Sequence, residues 1–245
     1  MVRDEIRRRL APHPRLFGLA RRAGMVARFA ARRPHEPDFA WFAGLEGDGL
    51  FLDVGANSGQ SALSFRIFNR SHRILSVEAN PALEPDLRFV KRLISGFDYR
   101  MVALSDTPGE TVLRVPHRGT TPLSQAASLD GGFITRRADE IRRRSGGEFH
   151  VVEVPVEVTT VDALAVEPSV VKIDVEGGEH RVLRGMQETI ERRRPVVLLE
   201  VWRADAGSQE LLLDHGYGLF TIAGGEARPW SRGEPALNVL ALPGD

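Results

Sequence analysis

From residue 50 onward the apolar and polar positions alternate between two periods. Leu50 to Val54 is an apolar run broken only by Asp53, the pattern of a strand buried on both faces of a parallel sheet. Comparable runs recur at Arg73–Val77, Asp98–Leu104, Val170–Asp174 and Pro195–Glu200. Helical patterns fill the gaps, from about Ser61 to Asn69, from about Ala82 to Ser95, and over Val182 to Arg192. Strands alternating with helices predict βαβ units and a mostly parallel sheet. Thr111–Val115 and Val151–Val158 instead alternate apolar with polar residues, as half-exposed antiparallel strands do. After a helix around Leu211 and Leu212 that ends near Gly216, Tyr217–Ile222 and Leu237–Leu242 predict a closing antiparallel hairpin. The expected core therefore has seven strands, with a ligand over their carboxyl ends where the strand order reverses.

The ends and the middle of the chain change this picture. Residues 1–33 carry ten arginines against Asp4 and Glu5, and Pro12 and Pro14 divide them into two short helical pieces. Such a segment reads as a helical cap with a solvated arginine face, and it could also touch an anionic membrane surface or an acidic partner. It defines a basic helical appendage over residues 1–45, joined through His35-Glu-Pro-Asp38 to a domain over 46–245. Residues 116–150 are rich in glycine and contain Arg136, Arg137, Arg142, Arg143 and Arg144. A loop of that length is expected to be a lid or a disordered insert.

Composition narrows the class further. The 245 residues suit one large α/β domain, and 33 basic against 33 acidic residues provide no reason to invoke nucleic acid. Cysteine is absent, which removes disulfides and thiolate chemistry and is compatible with a reducing cytoplasm. No apolar run approaches the roughly 18 residues of a membrane span. A cytoplasmic protein is expected; nothing in the sequence bears on its oligomeric state.

The candidate chemistry begins at Phe51-Leu-Asp-Val-Gly-Ala-Asn-Ser-Gly-Gln60, a strand, a tight turn and a helix start. Gly55 can take positive φ, Gly59 permits a close backbone approach, and the helix start offers free N–H groups to a small polar ligand. A dinucleotide fingerprint would need glycine where Asn57 and Gln60 stand, and a phosphate loop would need a lysine that is absent. What remains is D-x-G-x-N-x-G followed by Glu78 at the end of the second strand, an acid suited to the paired hydroxyls of a ribose. An NAD-dependent oxidoreductase and a cofactor-binding scaffold protein stay as alternatives.

The blocks FLDVGANSGQSAL, SVEANP, MVALSDTPGETVL, VEVTTVDAL, VVKIDVEGGEHRVLRG, PVVLLEV and NVLALP, in that order over roughly residues 50–243, resemble the FkbM-type S-adenosylmethionine-dependent methyltransferases. The resemblance implies a Rossmann-like class I fold and methyl transfer to oxygen, on a small-molecule or glycan hydroxyl. It implies cofactor contacts from Asp53, Gly55, Asn57, Gly59, Glu78, Ala103, Leu104 and Ser105, with Asp106 a weaker member. Ser105, Asp106 and their neighbours also suit plain turn chemistry.

A second cluster is Lys172-Ile-Asp-Val-Glu-Gly-Gly-Glu179-His180. Lys172 and Asp174 share a strand face, and Asp174 falls at the strand's carboxyl end. Asp174 is expected to contact cofactor or acceptor, and Lys172 or His180 to assist deprotonation of the acceptor. Glu200 is a further candidate, and the resemblance, in which the region corresponding to 116–150 helps form the acceptor pocket, implies Ser124, Gln125 and Ser128 as candidate acceptor contacts. Glu179 equally suits a helix start. Asp174, Glu176 and Glu200 could hold a divalent metal, although their spacing does not define such a site.

Overall fold

The computed structural model describes residues 14–201 and 207–244. It begins with α1 (Pro14–Ala30), a 3-10 segment (Pro37–Gly44), β1 (Leu50–Val54), α2 (Gln60–Phe68), β2 (Arg73–Glu78), α3 (Glu84–Leu93), β3 (Phe97–Met101) and β4 (Ala103–Leu104). The middle of the chain forms β5 (Gly109–Arg118), β6 (Thr121–Pro122), α4 (Gly131–Arg136), α5 (Ala138–Ser145) and β7 (His150–Thr159). It closes with β8 (Val170–Ile173), α6 (Glu179–Arg184), α7 (Gln187–Arg193), β9 (Val196–Glu200), α8 (Gly207–Asp214), β10 (Tyr217–Ala223), β11 (Glu226–Pro229) and β12 (Asn238–Pro243). The helical piece expected before Pro12 lies outside the described residues.

The main sheet runs β11-β10-β12-β9-β8-β1-β2-β3. Five strands are parallel, and β12 inserts antiparallel between β9 and β10. The sheet has eight strands where seven were expected, because the chain folds back after Ala223 and β11 pairs Pro229 with Phe220. From β1 the chain builds outward through β2 and β3, then returns to add β8 and β9 on the other side. The order therefore reverses between β1 and β8, leaving a crevice over their carboxyl ends.

Three further expectations change. Residues 98–104 do not form one strand: β3 ends at Met101, and Ala103–Leu104 leave the main sheet to pair with Val158 and Thr159 of β7. The helix expected over 182–192 is two short ones, broken at Gly185–Met186. Residues 116–150 are not an open loop. They carry β6, α4 and α5, pinned by the buried side chains of Phe133, Ile134 and Ile141, and Asp130 caps α4 by accepting from Gly132 N–H at 2.8 Å. β5 and β7 do pair antiparallel, as the heart of a separate four-stranded sheet, β4-β7-β5-β6.

Apolar layers cover both faces of the main sheet. On one, Leu52, Val54, Ile173 and Leu199 pack against α6 and α7 through Val182, Leu183 and Ile190. On the other, Phe51 stacks on Phe65 of α2 at 4.1 Å between ring centroids, and Phe39 and Phe42 of the 3-10 segment are fully buried with them. α1 packs on that same face. Arg21 and Arg22 both bond the fully buried Asp86 of α3, Arg22 at 2.6 Å. No helix among the described residues is long and apolar enough to cross a membrane.

Candidate active site

Side chains two apart on a strand share a face, and here that rule gathers the polar groups. Asp53, Ser76, Lys172 and Leu198 stand on the same side of the sheet as Phe51, Ile74 and Val170. Continuing two residues toward the carboxyl ends, the same face delivers Glu78, Asp174 and Glu200. These three acids line a cleft of about 390 Å³ over the crevice, together with Gly55, Asn57, Ala103, Leu104, Ser124 and Gln125.

Gly55 has φ +80, and a Cβ there would stand 1.8 Å from the backbone oxygen of Asp174. Only glycine lets the turn after β1 lie this close to the end of β8. Gly59 also has positive φ, but the atoms nearest its missing Cβ belong to Val90 of α3, at 2.9 Å. It therefore seats α2 against α3 and does not line the cleft. Asn57 adopts φ +50, and its side-chain oxygen accepts from Ser58 N–H. Glu78 accepts from the N–H groups of Asn57 at 2.7 Å and Asn80 at 2.8 Å, which fixes its carboxylate at the turn. Burial pushes Glu78 up to about 7 against the pull of these two bonds.

The acids interact strongly. Lys172, 1% exposed, donates to Asp174 at 2.7 Å. Burial favours the neutral amine, yet the charges of Asp174, Glu36 and Asp53 outweigh it and raise Lys172, so it stays an ammonium. Asp174 lies below the usual carboxylate range: burial opposes its ionisation, but Lys172 and a hydrogen bond from Glu200 prevail. Glu200 is pushed up to about 10 by burial and by the Asp174 charge, so the two carboxyls share one proton. Burial lifts Glu176 to about 8.

The sequence model of the methyltransferase FkbM domain matches residues 53–217, two-thirds of the chain and every element just described from the end of β1 to the start of β10. The chain belongs to the FkbM methyltransferase family. It is an S-adenosylmethionine-dependent methyltransferase. No curated protein sequence matches it. Among solved structures, the FkbM methyltransferase of Methylobacillus flagellatus KT is similar at 12% identity and a TM-score of 0.48, covering 91% of this chain and 60% of that one. The precorrin-6Y C5,15-methyltransferase of Geobacter metallireducens GS-15 is similar at 15% identity and TM-score 0.43, over 84% and 86%. Aeropyrum pernix fibrillarin, with natively bound S-adenosyl-L-methionine, shares 14% identity at TM-score 0.41, over 83% and 73%.

The cleft of this FkbM methyltransferase fits its cofactor. Val77, Val102, Leu104 and Leu113 form an apolar end suited to an adenine ring, Glu78 offers a carboxylate suited to a ribose diol, and Asp174 and Glu36 form an acidic end suited to ammonium and sulfonium charge. Not every residue singled out in the sequence lines it. Asp53 is fully buried beneath, accepting from Ser76 at 2.9 Å, and burial pushes it up to about 6. Lys172 is likewise below the floor. Ser105 is buried, and its hydroxyl donates to Asp106. Ser128 donates to the carbonyl of Glu176 at 2.7 Å and so supports the turn after β8. His180 lies on α6, its Nδ1 buried beside Gly207 and without a hydrogen-bond partner among the described residues.

Glu179 accepts from the N–H groups of Val175 and Gly177 at 3.1 Å, bracing the turn that carries Glu176 at φ +57. Among the cleft residues that escaped the sequence reading, His35 and Glu36 did so because they occupy what reads as a linker and reach the site only through the docking of the N-terminal segment. Burial lowers the His35 pKa, so its imidazole is neutral at pH 7. The oxygens of Asp174, Glu176 and Glu200 lie within 4.8 Å of one another, a spacing open to a metal ion. Lys172 and Arg137 already pair with Asp174 and Glu176, so the cluster is charge-compensated without one.

Proposed function

We propose that this FkbM methyltransferase methylates a hydroxyl oxygen of a small-molecule or glycan acceptor. The observation that carries the reading is the convergence of Glu78, Asp174 and Glu200 on one cleft beside the Gly55 turn, with Ser124 and Gln125 closing it from the inserted segment. When bound, S-adenosylmethionine supplies an electrophilic methyl group on a sulfonium. The chain's own work is alignment and exclusion of water, because an in-line displacement needs no covalent help.

In this reading Glu78 receives the ribose hydroxyls, and the Gly55–Asn57 turn and Asp174 receive the amino-acid end. Lys172 is a positioning residue: as a buried ammonium it holds Asp174 ionised and cannot itself accept a proton. Ala103 and Leu104 flank the adenine. His35, a neutral imidazole on the cleft wall, is the group suited to take the acceptor's proton. His180 is not part of this wall. Asp174, which stays ionised, and Glu36 offer negative charge to the positive end of the cofactor, and the pairing of Asp174 and Glu176 with Lys172 and Arg137 leaves the cluster no need of a metal.

Transfer of labelled methyl from S-adenosylmethionine to a panel of sugars and hydroxylated metabolites tests the proposal. Label recovered as an ether supports it. Label on nitrogen or carbon, or cofactor binding without transfer to any acceptor class, counts against oxygen methylation.

A further inference from the structure

Beside the cofactor cleft a second cavity of about 350 Å³ opens between α1, β6 and α5. The two share Asn57, Ser124, Gln125 and Arg144 as walls, so they are immediate neighbours. Their charges are opposite. Acids dominate the cleft, whereas the charged lining of the second cavity, among the described residues, is Arg21, Arg118, Arg137 and Arg144 against Glu140 alone.

Helical spacing explains part of this. On α5 and the residue before it, Arg137, Ile141 and Arg144 follow at intervals of four and three and turn one face into the cavity. Arg136 and Arg142 instead pair with surface acids. Within the cavity, Arg137 bonds Glu140 and Glu176, and Arg144 bonds Glu140 at 2.7 Å. Arg118 bonds only the carbonyl of Ser145 among the described residues, which leaves its charge uncompensated. Three polar atoms on the same walls are buried with no hydrogen-bond partner among the described residues: Thr121 Oγ1, Ser124 Oγ and Arg21 Nε. Thr121 is 2% exposed. Buried hydroxyls are ordinarily satisfied, so unpartnered ones set among clustered guanidinium groups suit an anion site.

We propose that this cavity binds an oxyanion, phosphate or carboxylate, carried by the methyl acceptor. Resting on the hydroxyl-methylation reading above, the arginines hold the anion in the second cavity while the acceptor hydroxyl passes Ser124 and Gln125 into the cleft. The inserted segment thus selects acidic acceptors, and its basic run has two parts, one solvated and one turned to the substrate.

The test titrates the full chain calorimetrically with inorganic pyrophosphate, and separately with glucose, glucose 6-phosphate and glucuronate. S-adenosylhomocysteine is titrated in parallel as a probe of the cleft alone. Pyrophosphate is expected to bind, more weakly as salt rises. Glucose 6-phosphate or glucuronate should bind where glucose does not, and the stronger of the two identifies the anion. Arg118→Gln and the well-exposed Arg144→Gln should each weaken pyrophosphate about tenfold or more, and Arg118→Gln, which lies outside the cleft, should leave S-adenosylhomocysteine within about twofold of wild type. Glu140→Gln, which removes the lone acid, should strengthen it, an effect opposite in sign to structural damage. Absence of pyrophosphate binding to the wild-type chain, or equal binding by the arginine variants, overturns the proposal. Failure of S-adenosylhomocysteine alone, with the anion behaviour intact, overturns the methyltransferase reading and the acceptor role while leaving an anion site.

Discussion

Replacing Lys172 with methionine keeps the length of a side chain that is 1% exposed and removes its charge. Asp174, at 2.7 Å, loses its cation, and Asp53, fully buried with Oδ1 lacking a hydrogen-bond partner among the described residues, loses a charge that favours its ionised form. Breaking a buried pair from one side costs about 3–5 kcal/mol, because the surviving charge stays buried. That is a large share of the 5–15 kcal/mol typical of folded proteins. For a chain of this length about 2–4 °C accompanies each kcal/mol, so a fall of roughly 6–20 °C in Tm is expected near pH 8.

The pH dependence has a definite sign. Without Lys172, burial outweighs the remaining hydrogen bonds from Glu200 to Asp174 and from Ser76 to Asp53, and both acids are expected to rise above their ordinary values. The folded variant then holds protons that the unfolded chain has released. Its stability is complete below the ordinary carboxylate pKa, near 4, and is lost as pH rises through the raised values. The deficit relative to wild type is therefore smaller at pH 5 than at pH 8, and Lys172→Met/Asp174→Asn recovers part of it. Thermal unfolding followed by circular dichroism at the two pH values decides the matter. A Tm within about 2 °C of wild type at pH 8, or a deficit equal at both, would refute the charge-compensation argument.

Gly55→Ala places a methyl group where the Asp174 oxygen lies 1.8 Å away, so cofactor affinity in a calorimetric titration should fall at least a hundredfold or the chain should fail to fold. Phe65→Ala, removing a fully buried ring stacked on Phe51, should cost about 3–5 kcal/mol in denaturant unfolding. His35→Gln should lower kcat by about a hundredfold or more with little change in cofactor affinity, whereas His180→Ala should leave both within about twofold. Exhaustive chelation should leave methyl transfer unchanged, since Lys172 and Arg137 already neutralise two of the three clustered acids.

Strands with a continuous apolar pattern were legible because burial on both faces imposes it. β1, β2, β8 and β9 fall within a residue or two of their expected positions, and the turn at Gly55 follows from its glycine. The break at Val102 was not legible, since residues 98–104 are uniformly compatible with one strand and only the pull of β7 on Ala103 and Leu104 divides them. Nor was β11, whose Glu-Ala-Arg-Pro carries no strand pattern and forms through pairing with β10. In the site, the period-two rule correctly put Lys172 and Asp174 on one face but could not show that Lys172 ends beneath the floor. His180 follows the same acidic motif by six residues yet turns away on α6, while His35, in a linker, is carried to the cleft by the tertiary docking of the N-terminal segment.

The central claim is that an adenosyl cofactor lies across the carboxyl ends of β1, β2 and β8, with its reactive end toward the inserted segment. A crystal structure of the full chain with S-adenosylhomocysteine measures this directly. The account predicts ribose hydroxyls within hydrogen-bond reach of Glu78 and a sulfur facing Ser124 and Gln125. Density for the compound elsewhere, or in this cleft with its sulfur turned away from the inserted segment, would contradict it.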